Sequence, residues 1–125
     1  MKTISTDKAP AAIGPYSQAK IAGDFLYASG QIPIIPETGA IAEGDITVQA
    51  EQSIKNVGEI LKAAGVDYTA VVKTTCFLAE MADFAAFNAV YEKYFTDKPA
   101  RSCVAVKTLP KNVLCEVEVI AYVGK

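Results

Sequence analysis

The sequence predicts a two-layer α+β domain, in which two α-helices cover one face of a β-sheet. Two segments have apolar residues at the three- and four-residue steps of amphipathic helices, whereas the other apolar runs are short and strand-like. In the last run, 114–123, alternate residues form one wholly apolar face and one face that mixes carboxylates with apolar side chains. Two helices suffice to cover the apolar face. The mixed face is too apolar for open solvent, which predicts self-association.

Five runs of the sequence have the composition of β-strands. The first two are separated by Gly23-Asp24, a dipeptide that suits the tight turn of a hairpin. A long loop, 30–45, follows them because its prolines and glycines interrupt every regular pattern. The predicted strands span residues 17–21, 25–29, 71–78, 102–106 and 114–123.

Two helices are predicted between these strands. The first spans 46–64, with Asp45 as its N-cap and Gly65 as its C-terminal stop. The second follows Asp83, which is expected to cap it, and carries a polar residue, Asn88, beside a stripe of aromatic residues. A buried Asn88 would need hydrogen-bond partners, so it either caps a nearby loop or orients a site. Core packing is the simplest interpretation of the stripe, which consists of Phe84, Phe87, Tyr91 and Tyr94.

Length and composition limit the class of protein. The chain has 125 residues and is 51% hydrophobic, which predicts one domain spanning 1–125. The formal net charge is −2 and lysines and arginines do not cluster, so nucleic-acid binding is not expected. No apolar stretch approaches the length of a membrane span, and the N-terminus lacks the apolar core of a signal peptide. We therefore expect a soluble, cytoplasmic protein with no membrane partner.

The sequence contains no histidine, and this restricts the chemistry that it can perform. Histidine is the usual general base and the commonest metal ligand, so a histidine-containing triad is ruled out and neither a metal nor another cofactor is expected. Carboxylates, tyrosines, lysines, the backbone and water remain for acid–base work. The three cysteines, Cys76, Cys103 and Cys115, lie among apolar or β-branched neighbours and are predicted to be reduced packing residues.

Arg101 is the most informative single residue of the sequence. It follows Pro99-Ala100 at the point where an apolar run begins, and a guanidinium there is costly to bury unless an anion meets it. Because the planar guanidinium can hold a carboxylate through two parallel hydrogen bonds, the position predicts a carboxylate ligand. The alternative is a structural salt bridge to Glu116 or Glu118, since structural ion pairs outnumber functional ones.

Four motifs stand in a fixed order over nearly the whole chain. They are Gly14-Pro15-Tyr16-Ser17-Gln18-Ala19, Ser29-Gly30-Gln31-Ile32-Pro33, Pro99-Ala100-Arg101-Ser102-Cys103-Val104 and Glu116-Val117-Glu118. Together they resemble the Rid (YjgF-like) family of reactive-intermediate deaminases, and most of all its subfamily A. The resemblance implies a chorismate-mutase-like α+β fold, with two helices on one face of a mixed β-sheet. It also implies a homotrimer whose sheets line a central β-barrel and whose three clefts lie between neighbouring subunits.

The resemblance further implies a 2-iminobutanoate/2-iminopropanoate deaminase. Such an enzyme hydrolyses the 2-imino acids that arise from enamines released by pyridoxal-phosphate-dependent dehydratases, giving a 2-oxo acid and ammonia. An imine carbon is already electrophilic, so this reaction needs a fixed carboxylate, a placed water and a proton path, but no metal and no covalent nucleophile.

Single residues of this chain match the family's functional positions. Arg101 would hold the substrate carboxylate, and Glu116, expected on the adjacent strand, would activate the water. Cys103 would act through its backbone carbonyl, because no base lies beside it in sequence to form a thiolate. Glu118 is interpreted as structural. The substrate-binding positions implied by the resemblance are Tyr16, Ser29, Gly30, Asn88, Arg101 and Cys103.

One departure from the family pattern and three alternative functions remain open. Only Thr96-Asp97-Lys98 separate Phe95 from Pro99, a shorter connection than in many relatives, so the rim of the pocket is expected to differ. A sensor of small carboxylates would also need Arg101, but a second carboxylate at Glu116 favours an enzyme. Ribonuclease or translation-inhibiting activity, which has been linked to the family, is disfavoured by the missing basic patch and the absence of histidine. Nothing in the sequence supports a chaperone role.

Overall fold

The computed structural model describes residues 1–124 and contains one six-stranded sheet with two α-helices. The predicted domain, 1–125, has only its last residue outside this range. The strands in chain order are β1 (Lys2–Ile4), β2 (Ala19–Ala22), β3 (Phe25–Ala28), β4 (Val71–Leu78), β5 (Ala100–Ala105) and β6 (Cys115–Tyr122). The helices are α1 (Ile46–Ala63) and α2 (Phe84–Tyr94), and short 3₁₀ turns occupy Tyr68–Ala70, Met81–Asp83 and Pro110–Asn112.

The strand order across the sheet is β1-β2-β3-β6-β4-β5. Only β4 and β5 run parallel, and every other neighbouring pair is antiparallel, so the sheet is mixed. The apolar side of β6 is fully buried, together with residues of both helices such as Ile54 and Phe87. The predicted two-layer α+β fold with a mixed sheet is therefore confirmed. The homotrimer and its central barrel stay predictions, since they involve further copies of the chain.

Helix α1 forms where the sequence predicted it. The carboxylate of Asp45 accepts a hydrogen bond from the backbone N–H of Val48 at 3.2 Å, which satisfies one of the free donors of the first turn. Gly65 follows the helix with a φ of +83°, a left-handed conformation that glycine adopts without steric cost. The buried face consists of Ile46, Gln49, Ala50, Ser53, Ile54, Asn56, Val57, Ile60 and Leu61.

Helix α2 begins at the predicted residue but not by the predicted means. Asp83 occupies the N-cap position, yet its side chain makes no capping hydrogen bond. Asp83 already ends a 3₁₀ turn in which its N–H donates to the Glu80 carbonyl at 3.0 Å. Its backbone, with φ −85° and ψ 0°, is thus not in the extended conformation from which a side chain reaches back to the first turn.

Strand β1 was not predicted at all. It has three residues, of which only Ile4 is buried, so it shows no alternation from which a strand is recognised. Pairing with β2, in which Lys2 lies opposite Ile21 and Ile4 opposite Ala19, makes it a strand. Of the other elements, β2 begins two residues later than expected and β5 two residues earlier. Neither helix among residues 1–124 is both long and apolar enough to cross a bilayer.

Candidate active site

Arg101 lies on β5, at the edge of the sheet, and its guanidinium is held by residues of α2. Its Nη1 donates to Asn88 Oδ1 at 2.7 Å. The guanidinium carbon lies 4.8 Å from the centroid of the Tyr91 ring and 5.4 Å from that of Phe84, within the range of cation–π attraction. Asn88 therefore orients Arg101, and the aromatic stripe that was expected to serve only the core also supports this charge.

No carboxylate of residues 1–124 lies within 4.0 Å of the Arg101 guanidinium. The alternative expectation, a structural salt bridge from Arg101 to Glu116 or Glu118, is therefore wrong. Asn88 is neutral and takes one of the five guanidinium donors, so most of the hydrogen-bonding capacity of Arg101 remains for an anion.

A cavity of about 300 Å³ lies beside Arg101 and is also lined by Asn88, Tyr91 and Lys98. The short connection before Pro99 forms a tight turn, in which Lys98 has a φ of +53° and its N–H donates to the Phe95 carbonyl at 3.2 Å. This turn places the exposed Lys98 at the rim, so the cavity carries two cationic side chains and one carboxylate, that of Glu92.

Glu116 does not share this cavity. Strand β4 lies between β5 and β6, so the expectation that Glu116 sits on the strand adjacent to Arg101 is wrong. Phe77 on β4 pairs with both Glu116 and Val104, three positions along β5 from Arg101, which places the two Cα atoms roughly 14 Å apart. The neighbours of Glu116 on β6 are buried beneath the helices, so its own side chain faces the opposite side of the sheet.

Glu116 lines a second cavity, of about 510 Å³, on this opposite side. The segment around Gln31 is held against β6 by two backbone hydrogen bonds. The Gln31 N–H donates to the Val117 carbonyl at 2.8 Å, and the Gln31 carbonyl accepts from the Val117 N–H at 3.1 Å. Gly30 is thereby pressed against Glu116: a Cβ at Gly30 would lie 2.8 Å from Glu116 Cδ and would overlap the carboxylate. The lining consists of Ile13, Tyr16, Ser29, Gly30, Ile32, Pro110, Lys111, Glu116 and Glu118.

The surroundings of Glu116 make its carboxylate a stronger base than that of an ordinary glutamate. Burial raises its pKa above the ordinary value of 4.5, and repulsion from the neighbouring Glu118 raises it further. Around it, the Ser29 hydroxyl donates to the Ser17 carbonyl at 2.6 Å, so it is left to accept a hydrogen bond from a ligand. Tyr16 is 53% exposed, which leaves its hydroxyl free to meet one.

Cys103 differs from the inert thiol that the sequence predicted. Its register partner across β4 and β5 is the buried Cys76. Interaction with the Cys76 thiol and the charge of Arg101 together lower the pKa of Cys103 to about 7, against the effect of partial burial. The same interaction, together with burial, raises the pKa of Cys76. Sequence inspection missed this pair because only the strand register brings the two thiols together.

The structure thus divides the six positions implied by the resemblance into two groups. Arg101 and Cys103 lie on the side of β5 that the helices cover, and Asn88 lies on α2 beside Arg101. Tyr16, Ser29 and Gly30 line the cavity of Glu116 on the other side of the sheet. The first group can bind an anion, whereas the second surrounds a base that faces an open cavity.

Comparison with known proteins gives matches over nearly the whole chain. A sequence model of the Endoribonuclease L-PSP family matches residues 6–123. The chain is 52% identical over 124 residues to the 2-iminobutanoate/2-iminopropanoate deaminase of Salmonella typhimurium, with 96% of each chain covered. It is 56% identical over 124 residues to AldR of Lactococcus lactis, a protein named as a candidate regulator, with 98% of each covered. Among solved structures, that of E. coli TdcF with bound serine superposes with a TM-score of 0.93 at 44% identity, covering 98% of each chain.

Proposed function

Because the chain belongs to the Endoribonuclease L-PSP (YjgF/Rid) family, we propose that it is a 2-iminobutanoate/2-iminopropanoate deaminase. The observation that carries this proposal is that the chain has two groups of the required kinds. One is an arginine without a carboxylate partner among residues 1–124, and the other is a glutamate whose pKa is raised. An anchor for an anion and a base of this kind are what hydrolysis of a 2-imino acid needs. The similar Salmonella protein carries the name of this activity.

Arg101 binds the substrate carboxylate in the proposed mechanism. Asn88 fixes the guanidinium from one side, and the rings of Tyr91 and Phe84 support it, so little side-chain freedom is lost when the ligand arrives. The remaining donors of Arg101 present the fork that matches both carboxylate oxygens. This contact fixes the imine carbon at a defined distance from the anchor, as reaction with a placed water requires.

Glu116 supplies the base. Its carboxylate accepts a proton from water as the water oxygen attacks the imine carbon, and the imine nitrogen takes up a proton. The resulting carbon carries both a hydroxyl and an amine. Glu116 returns its proton to the nitrogen, the hydroxyl gives up its proton, and the C–N bond breaks to give ammonia and the carbonyl of the 2-oxo acid. The backbone carbonyl of Cys103 faces the substrate nitrogen and orients it, while Tyr16 and Ser29 contact the ligand through their hydroxyls.

The two groups of residues come together in the proposed homotrimer. In one chain Arg101 and Glu116 occupy opposite faces of the sheet, so neither cavity holds both of them. A neighbouring subunit that lays the cavity of its Glu116 against the Arg101 edge completes a cleft. The mixed faces of the sheets, with Glu118 among their side chains, then line a central β-barrel. No metal or cofactor takes part in this mechanism.

A direct assay tests the activity. A pyridoxal-phosphate-dependent dehydratase generates 2-aminoacrylate from serine, or the corresponding enamine from threonine, and the lifetime of the imine is followed with and without this protein. We expect faster conversion to pyruvate or 2-oxobutyrate with the wild-type protein and no acceleration with Arg101→Ala. Arg101→Lys is the matched variant, because lysine keeps the charge but loses the planar fork. A wild-type protein that does not shorten the lifetime of either imine would refute the proposal.

A carboxylate-sensing regulator is the second candidate. The 56% identity to a protein named as a regulator favours it, and the solved structure of TdcF contains a bound amino acid, serine. Glu116→Gln separates the two functions, because glutamine keeps the shape of the side chain but cannot accept the proton from water. For an enzyme we expect turnover to fall by roughly 100-fold, with calorimetric binding of 2-oxobutyrate unchanged or tighter. Unimpaired turnover in this variant would contradict the role of Glu116.

A further inference from the structure

Two cysteines of the described chain lie side by side on neighbouring strands. Cys76 and Cys103 are register partners in the parallel pair β4–β5, so their side chains point to the same face of the sheet. Neighbouring strands lie about 4.8 Å apart, and disulfides join Cα atoms that are about 4.4–6.8 Å apart. Both cysteines are free thiols in the structure. The backbone thus holds their Cα atoms at a spacing that a disulfide can bridge.

The two thiols differ in accessibility. Cys103 is partly exposed at the sheet edge, two positions along β5 from Arg101, whereas Cys76 is fully buried. Cys76 Sγ lies 3.8 Å from Thr74 Oγ1, and Thr74 is in turn 2.8 Å from the Tyr91 hydroxyl. The Cys76 thiol donates its proton to Thr74 Oγ1.

A thiol that is partly exposed, close to a cation and beside a second thiol has the environment of a reactive cysteine. The pKa of Cys103 is lowered by Cys76 and by the charge of Arg101, so a larger fraction is thiolate at neutral pH than for an ordinary cysteine. The other titratable groups around it are Tyr91 on α2 and Cys115 on β6. Cys115 is buried and hydrogen-bonds with Ser53, which makes it an internal control.

We propose that Cys103 and Cys76 form a peroxide-reactive pair, with Cys103 as the attacking thiol and Cys76 as the resolving thiol. The Cys103 thiolate attacks one peroxide oxygen, the O–O bond breaks, and hydroxide leaves and is protonated to water, giving a sulfenic acid. The Cys76 sulfur then attacks the Cys103 sulfur, the S–O bond breaks, and the hydroxyl leaves with the Cys76 proton as water. Two thiols are oxidised to one disulfide, and one hydrogen peroxide is reduced to two waters.

Disulfide formation would also affect the neighbouring site. Cys103 lies two residues from Arg101, and the link to Cys76 would tie to β4 the strand segment that presents both the guanidinium and the Cys103 carbonyl. We expect deamination to slow when the disulfide is present and to recover on reduction. This consequence rests on the proposed function, whereas the thiol chemistry does not. A cleft that admits a 2-imino acid also admits the smaller peroxide.

Mass spectrometry under non-reducing conditions tests the pair in the whole protein. With one equivalent of hydrogen peroxide, the wild-type protein is expected to lose about 2 Da and to give one cross-linked peptide pair containing Cys76 and Cys103. Cys76→Ser is expected to stop at a sulfenic acid on Cys103, which dimedone traps, and Cys103→Ser is expected to resist oxidation. Cys115→Ser is the matched control and should behave as the wild type. Retention of all thiols in the wild type, or oxidation of Cys115 at the same rate as Cys103, would overturn the proposal.

A second measurement tests whether Cys76 lowers the pKa of Cys103. The rate of alkylation of Cys103 by iodoacetamide as a function of pH reports its apparent pKa. For the wild type this pKa is expected below the ordinary thiol value of about 8.5, and in Cys76→Ala it is expected to rise, with an unchanged circular dichroism spectrum. An equal pKa in the two proteins would show that Cys76 does not activate Cys103. A disulfide that forms but leaves deamination unchanged would refute the regulatory consequence alone.

Discussion

Mixing two inactive variants should restore deaminase activity if the active site is shared between subunits. Arg101→Ala removes the anchor for the substrate carboxylate, and the loss of a bidentate charged contact of about 3 kcal/mol lowers kcat/KM by more than 100-fold. Glu116→Gln removes the base and is expected to lower kcat by roughly 100-fold. In one chain the two residues face opposite sides of the sheet, so each variant still carries one intact half of a cleft.

The expected recovery follows from symmetry. In a cyclic trimer each cleft takes Arg101 from one subunit and Glu116 from the next. With random assembly from equal amounts of the two variants, a cleft is intact when Glu116→Gln supplies the arginine and Arg101→Ala supplies the glutamate. Each condition is met half of the time, so about one quarter of the clefts should be intact. The variants would be unfolded and refolded together, and the mixture compared with each variant treated in the same way.

A dilution experiment provides the matched control. The double variant, with both substitutions in one chain, is refolded with an equal amount of wild type. If clefts are shared between subunits, about one quarter remain intact; if each chain builds its own site, about one half do. A mixture of single variants that stays as inactive as its components, together with half activity in the dilution, would refute the shared site. Light scattering on the same samples checks that the assemblies are trimers.

Three further substitutions test the two halves separately. Gly30→Ala is expected to lower kcat/KM by more than about tenfold with an unchanged circular dichroism spectrum, because the added methyl group displaces the Glu116 carboxylate; wild-type kinetics would show that this contact is not needed. Asn88→Ala should weaken binding of 2-oxobutyrate about tenfold by releasing Arg101, which calorimetry can measure, and unaltered affinity would contradict the positioning role. In Glu118→Gln one cause of the raised pKa of Glu116 is lost, so that pKa falls and the base stays ionised at lower pH. The acid limb of the kcat/KM profile should therefore move to lower pH, but its midpoint should stay above the pKa of an ordinary glutamate because burial remains. An acid limb that does not move would show that Glu118 does not affect the pKa of the base.

Elements with local causes could be predicted from the order of residues alone. Helix α1 follows from apolar residues at helical spacing between a capping Asp45 and a terminating Gly65, and all of these interactions lie within a few positions of each other. The buried side of β6 likewise follows from alternation along a single strand. The residues of the site were recognisable as types, since the resemblance to a family rests on short motifs.

Where those residues lie depends on the packing of the whole chain. Arg101 and Glu116 were expected on adjacent strands, but β4, which precedes both in the chain, inserts between β5 and β6. Strand β1 exists only through its pairing with β2, and Cys76 and Cys103 are neighbours only through the register of β4 with β5. Strand order and register depend on contacts between segments far apart in sequence, and periodicity and capping contain no information about them. The sequence thus determines which face of an element is apolar, whereas contacts between distant segments decide which functional side chains meet.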